Sequence, residues 1–178
     1  MFDFEEIKAY IFKFQPEGII IDTQVLLLLL IGDYDQSLIG NCNIISGFDQ
    51  EDYAKLKNIL GLFNGRKLVI TPHILAELSN LSKQAFKVRG EKSLDYFQSI
   101  ICFLETAKEE SCDMRSFMGM GVEIIYNYGF TDLGIFEIAR LKDKKLAILT
   151  DDLGLSVYAQ QSSIPAIKLS HFKHQITA

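Results

Sequence analysis

GIIIDTQVLLLLLI, residues 18–31, decides the fold. Gly18–Ile21 is a short unbroken apolar run, the mark of a strand buried on both faces in a helix-covered sheet. It stops at Asp22-Thr23, whose side-chain oxygens suit the open first turn of a helix, and that helix carries residues 25–31. The same step from strand to helix recurs along the chain. Lys67–Ile70 is a second strand, ending at Thr71-Pro72, where Thr suits the N-cap and Pro the first helical position; the helix runs through Ile74, Leu75 and Leu78. Residues 146–149 form a third strand, followed by Thr150-Asp151-Asp152 and another helix, and residues 166–169, after Pro165, form the last. Between these, residues 32–48 are rich in Gly, Asn, Asp and Ser and read as a loop, and residues 49–60 have helical spacing. Residues of about 79–128 have helical apolar spacing interrupted near Gly119 to Gly121, which predicts helical hairpins. Tyr128-Gly129-Phe130-Thr131-Asp132 then opens a helix with Ile135, Ile138 and Ala139 facing inward. Alternating strands and helices predict an α/β fold around a mostly parallel central sheet.

The chain has 178 residues, 48% of them hydrophobic, enough for one domain, 1–178, with a single core. A net charge of −5 gives no global electrostatic footprint for nucleic acid, so such a substrate would need a local basic patch or bound metal. Cys42, Cys102 and Cys112 are odd in number and never closely paired, which excludes a disulfide framework and predicts small thiols in or near the core. Residues 19–31 are too short for a bilayer and contain Asp22. The acidic N-terminus does not resemble a signal peptide, so a cytoplasmic, non-membrane protein is expected.

His73, His171 and His174 are too scattered for a histidine metal site and read as surface residues. Lys83, Lys87, Arg89 and Lys92, and then Lys142, Lys144 and Lys145, are either phosphate-binding clusters or solvated helix faces. The aromatics stand at core spacing, without the interleaved basic residues of a stacking platform. Residues 25–30 are apolar on every side of their helix, more than one sheet face requires, which points to a homodimer contact.

Acidic residues recur where a strand ends or a helix begins: Asp22, Asp132, and the pair Asp151/Asp152. In open α/β sheets the crevice beyond the strands' carboxyl ends is where ligands bind. One aspartate in such a place is commonly a helix cap. The set also includes Glu77, about a turn and a half into a helix that starts at a strand end. Carboxylates crowded together raise one another's pKa unless a cation compensates. Mg²⁺ or Mn²⁺ suits all-oxygen ligands, and two such ions can drive in-line phosphodiester hydrolysis.

The segments IIIDTQVLLLLL, VITPHILAELSNL, NYGFTDLGIFEIARL and LAILTDDLGLSVYAQQSSIPAIKL resemble, in order, the four acidic motifs of PIN-domain proteins, including VapC-type toxins of toxin–antitoxin pairs. The resemblance runs from about Gly18 to Leu169. It implies a Rossmann-like three-layer α/β/α sandwich, Mg²⁺ or Mn²⁺ as cofactor, endonucleolytic cleavage of RNA, and an antitoxin protein as partner; members of the family often form homodimers. Carried over by position, Asp22, Glu77, Asp132 and Asp152 are the catalytic and metal-binding acids. The family's Thr-any-Asp pattern favours Asp152 over Asp151, which is a further metal candidate. Thr23 and Thr150 are supporting residues that position water or phosphate. The long helical middle and Leu133-Gly134 depart from the toxin pattern.

Other uses of acids at strand ends fit less well. A haloacid-dehalogenase-like phosphatase wants Asp-x-Asp where this chain has Asp22-Thr23-Gln24. A receiver domain wants paired acids near its first strand and a conspicuous lysine after a late one. Within the PIN-like reading, the alternatives are a catalytically inactive scaffold and a DNA-directed nuclease.

Overall fold

The computed structural model describes residues 5, 8–11, 16–63, 67–85, 91–141 and 145–171. Five strands form one all-parallel sheet: β1 (Gly18–Ile21), β2 (Lys67–Ile70), β3 (Lys108–Glu109), β4 (Leu146–Thr150) and β5 (Ala166–Lys168). Their spatial order is β3-β2-β1-β4-β5. Helices α1 (Thr23–Tyr34), α2 (Gln50–Leu62), α3 (Pro72–Ala85), α4 (Glu91–Leu104), α5 (Val122–Arg140) and α6 (Leu153–Gln161) flank it. The result is an α/β/α sandwich of Rossmann-like type, as the strand–helix alternation predicts.

β1 and β4 are buried along their whole length, which explains their unbroken apolar sequences. They pair in register from Gly18 with Leu146 to Ile21 with Leu149. Successive connections from β1 run outward to β2 and β3, and the chain then crosses back to β4 on the other side of β1. The β1/β4 junction is therefore the point where strand order reverses, and a crevice opens beyond the carboxyl ends of those two strands.

The most apolar helix is buried from Val25 to Gly32, with only Gln24 and Asp33 exposed near its ends. Val25, Leu26, Leu27 and Leu28 have no exposed surface, and α1 packs against α2, α3 and α4 as well as the sheet. That enclosure accounts for its all-round apolarity within a single chain and removes the reason for assigning the tract to a homodimer contact. Gly32 lets Tyr53 close over the end of α1, because a Cβ there would stand 2.4 Å from the tyrosine ring.

Between α3 and α5 the structure departs from helical hairpins. α4 is helical, but Lys108–Glu109 pairs with Val69 and Ile70 as the edge strand β3. Glu110 extends the pairing through its amide, which donates to the carbonyl of Ile70 at 2.9 Å. α5 contains one residue outside helical geometry, Gly129, at φ 71 and ψ 175. This backbone region is essentially confined to glycine, and it divides the helix into two halves. The region predicted as a loop, 32–48, contains the end of α1 and two short 3₁₀ turns, Gln36–Leu38 and Asn43–Ile45.

The three cysteines are free; Cys42 and Cys112 are half-buried, while Cys102 is exposed, contrary to its expected place near the core. Among the described residues no helix is long and apolar enough to cross a membrane.

Candidate active site

The four acids of the sequence motifs meet at the carboxyl edge of the sheet. Asp22 follows β1, and its amide continues the ladder by donating to the carbonyl of Leu149 at 2.9 Å. It occupies the N-cap position of α1 but makes no close capping bond there, only the looser pull of the Gln24 amide. Oδ2 instead accepts the hydroxyl of Thr150, at the end of β4, at 2.7 Å. The Thr150 oxygen in turn accepts the amide of Asp152 at 2.9 Å. One buried hydroxyl thus ties the first motif to the fourth.

A second threonine ties the first motif to the second. Thr71, capping α3 by accepting the Ile74 amide at 3.1 Å, fixes the start of that helix. Glu77 then reaches Thr23, whose hydroxyl donates to its Oε2 at 2.9 Å across 54 residues of sequence. Thr23 and Thr150, expected to position water or phosphate, hold carboxylates here. Asp132 comes from α5, three residues beyond the break at Gly129, where the helix turns into the core. Asp152 is both a member of the group and the N-cap of α6, its Oδ1 accepting the Leu155 amide at 2.7 Å.

Charge repulsion records how close the group is. Asp22 is only 7% exposed, and its pKa is pushed up from 3.8 to about 6, first by burial and then by Glu77 and Asp152, against the lowering effects of Thr150 and the Gln24 amide. Asp132 is pushed from 3.8 to about 7, by burial first and then by Asp22, Asp152 and Glu77. Among the described residues no basic side chain acts on either carboxyl, so protons or cations must balance the crevice. Asp151 is not part of this group: its carboxylate accepts the Ser170 amide at 2.7 Å, tying the start of α6 to the turn after β5.

An all-oxygen donor set suits hard cations such as Mg²⁺ or Mn²⁺. Among the described residues no three of His, Cys, Asp or Glu are placed to hold one ion between them. An ion here would be held by one or two carboxylates with water completing its shell, which is the usual manner of Mg²⁺.

Two neighbours of the site were not legible as such in the sequence. His73, expected on the surface, is half-buried on α3, one turn before Glu77. It lies edge-on to Phe117 and so close to Gly134 that a Cβ there would stand 3.1 Å from its Nδ1. Gly134, where the motif departs from the family pattern, thereby lets α3 and α5 approach. Glu137 is buried further along α5, with its charge matched by a two-pronged contact from Arg140 at 3.0 and 2.7 Å. His171 is half-buried at the end of the described chain; Lys83, Lys92 and Lys145 are exposed, and Lys87, Arg89, Lys142, Lys144 and His174 lie outside the described residues.

Fold and site together define an α/β sandwich with an acidic crevice at its topological switch point. Compared with protein-family models, curated proteins and solved structures, the chain has no match.

Proposed function

We propose that this chain is a metal-dependent endoribonuclease of the PIN-like type, hydrolysing RNA phosphodiester bonds with Mg²⁺ or Mn²⁺, in the manner of a toxin–antitoxin toxin. The observation that carries the reading is the convergence of Asp22, Glu77, Asp132 and Asp152, one from each motif, at the β1/β4 crevice with no basic residue acting on Asp22 or Asp132 among those described. Such a group has little use as a structural device, because its members repel one another and two of them are desolvated. Perturbed carboxyls of this kind cluster at functional sites.

Bound divalent cations would supply the positive charge that lowers the pKa of an attacking water and stabilises the leaving oxygen. The protein's part is to present carboxylates in fixed positions. Thr150 holds Asp22, Thr23 holds Glu77, and the Leu155 amide of α6 holds Asp152. Asp132 is placed by the packing of α5. An antitoxin segment, a cytoplasmic setting and a homodimer belong to the same proposal and rest on the family resemblance alone.

The test is cleavage of a mixed RNA substrate with Mg²⁺ or Mn²⁺, with EDTA, and with the variants Asp22→Asn and Asp152→Asn. Metal-dependent cleavage that vanishes in both variants, with circular dichroism unchanged, is the expected result. Folded protein that cuts no RNA under any of these conditions would overturn it; cleavage of single-stranded DNA instead would move the proposal to a DNA-directed nuclease.

A further inference from the structure

Three aromatic rings run from the core to the rim of the acidic crevice. Tyr158 of α6 packs on Phe136 of α5 with ring centres 4.3 Å apart, and stacks on Tyr128, also of α5, at 4.8 Å and 22° between planes. Phe136 is 4% exposed, whereas Tyr158 and Tyr128 are half-buried. Among the described residues Tyr128 has no second ring partner, and its hydroxyl has no hydrogen bond. The stack therefore ends on this ring. Its edge stands at the site: a Cβ added at Gly154 would meet Asp152 Oδ1 at 3.1 Å and Tyr128 Cε1 at 3.4 Å. Carboxylate and ring thus flank one gap, left open by the side chain that Gly154 lacks, and Asp152 and Gly154 are both exposed.

We propose that Tyr128 is a specificity residue of this site, taking an unstacked base of single-stranded RNA against the ring face turned away from Tyr158, next to the phosphate held at the acids. The inference rests on the ribonuclease reading and adds the state of the strand to it. A base inside a duplex has both faces covered by its neighbours, so only a strand whose bases can be splayed out supplies a free plane. Stacking on an aromatic side chain accepts every base, because each has a π-face, and a purine offers the larger one. It also needs no cation. Among the described residues no basic side chain acts on Asp22 or Asp132, so the ring contributes RNA affinity that charge on this side of the crevice does not.

The experiment titrates fluorescein-labelled RNA heptamers UUUAUUU and UUUUUUU, and a blunt RNA duplex, with the full chain in Ca²⁺ buffer, read by anisotropy. Wild type is compared with Tyr128→Ala, Tyr128→Leu and Tyr128→Phe, each checked for folding by circular dichroism, and wild type is assayed in parallel for Mg²⁺-dependent cleavage of mixed RNA. UUUAUUU is expected to bind most tightly and the duplex least. Tyr128→Ala should weaken UUUAUUU about 5- to 150-fold, the range for losing one stacked base, and erase its advantage over UUUUUUU. Tyr128→Leu, which keeps apolar bulk against Tyr158, should do the same, and it decides the matter if Tyr128→Ala does not fold. Tyr128→Phe, which keeps the ring, should retain the wild-type preference. Wild-type affinity in Tyr128→Leu, or duplex bound as tightly as UUUAUUU, in a protein that cleaves RNA, overturns the stacking role and leaves the ribonuclease intact. A loss in Tyr128→Phe as large as in Tyr128→Leu also overturns it and assigns the contact to the hydroxyl. A protein that neither binds nor cleaves RNA overturns both readings.

Discussion

The two halves of α5 are alike in composition and opposite in situation. Val122, Ile124, Ile125, Tyr126 and Tyr128 precede Gly129; Leu133, Ile135, Phe136, Ile138 and Ala139 follow it. In the second half every residue from Leu133 to Ala139 is buried, including Glu137 and Gly134. In the first half no residue is buried, and Val122 and Tyr126 are among the most exposed apolar side chains described. Apolar content alone does not decide what a helix covers. The helix lies against β4 and α6, where the sheet needs a cover; of the first half, Tyr128 still stacks on Tyr158 of α6, while Val122 and Tyr126 stay in solvent.

The contrast predicts unequal costs for similar truncations. Ile135→Ala, at a position with no exposed surface, should destabilise by about 2–5 kcal/mol in urea unfolding. Tyr126→Ala should stay within about 0.5 kcal/mol, as surface substitutions do. Equal losses would mean that both halves pack against the core.

Proton linkage sharpens the difference next, because Asp132 stands where exposure gives way to burial. Asp22 and Asp132 have folded pKa values of about 6 and about 7, above the ordinary 3.8. The folded state therefore keeps protons that the unfolded chain releases between about pH 4 and 7. Stability from these two groups is highest below that window and falls as pH rises through it. For Asp22 the difference is on the order of 3 kcal/mol. Thermal melts in EDTA should show Asp22→Asn and Asp132→Asn more stable than wild type at pH 8, with the gain shrinking toward pH 4; Mg²⁺ should raise the wild type and not the variants. A gain that persisted undiminished at pH 4 would exclude this cause.

The smallest effect concerns the divide itself. Gly129→Ala forces a side chain into a backbone region reserved for glycine and should cost about 1–3 kcal/mol in urea unfolding. No loss there would mean that the two halves can join as one straight helix.

Much of this arrangement could be read from the sequence. The strands β1, β2 and β4 announce themselves by apolar runs ending in Thr or Asp, β5 by its place after Pro165, and the caps at Thr71 and Asp152 follow from residue chemistry. Three of the acids were legible because each sits at a strand end or in a helix that starts at one, and Asp132 because it follows the Gly129 break, which reads as a helix start. β3 was not, because Lys108 and Glu109 are charged and exposed and become a strand only through the free edge of β2. The exposed face of α5 was hidden for the opposite reason: its spacing is that of a buried helix, and only the topology leaves it uncovered. The bond from Thr23 to Glu77 spans 54 residues and leaves no local pattern at all.

The Thr150 hydroxyl makes the two oxygens of Asp22 different atoms. Its oxygen accepts from the Asp152 amide, and its single proton goes to Oδ2. Placing the carboxyl proton on Oδ2 would turn that bond around and strand the threonine proton at a position with no exposed surface. The proton that burial favours on Asp22 therefore resides on Oδ1. Oδ2 is a permanent acceptor, and Oδ1 is the oxygen that gains and loses the proton.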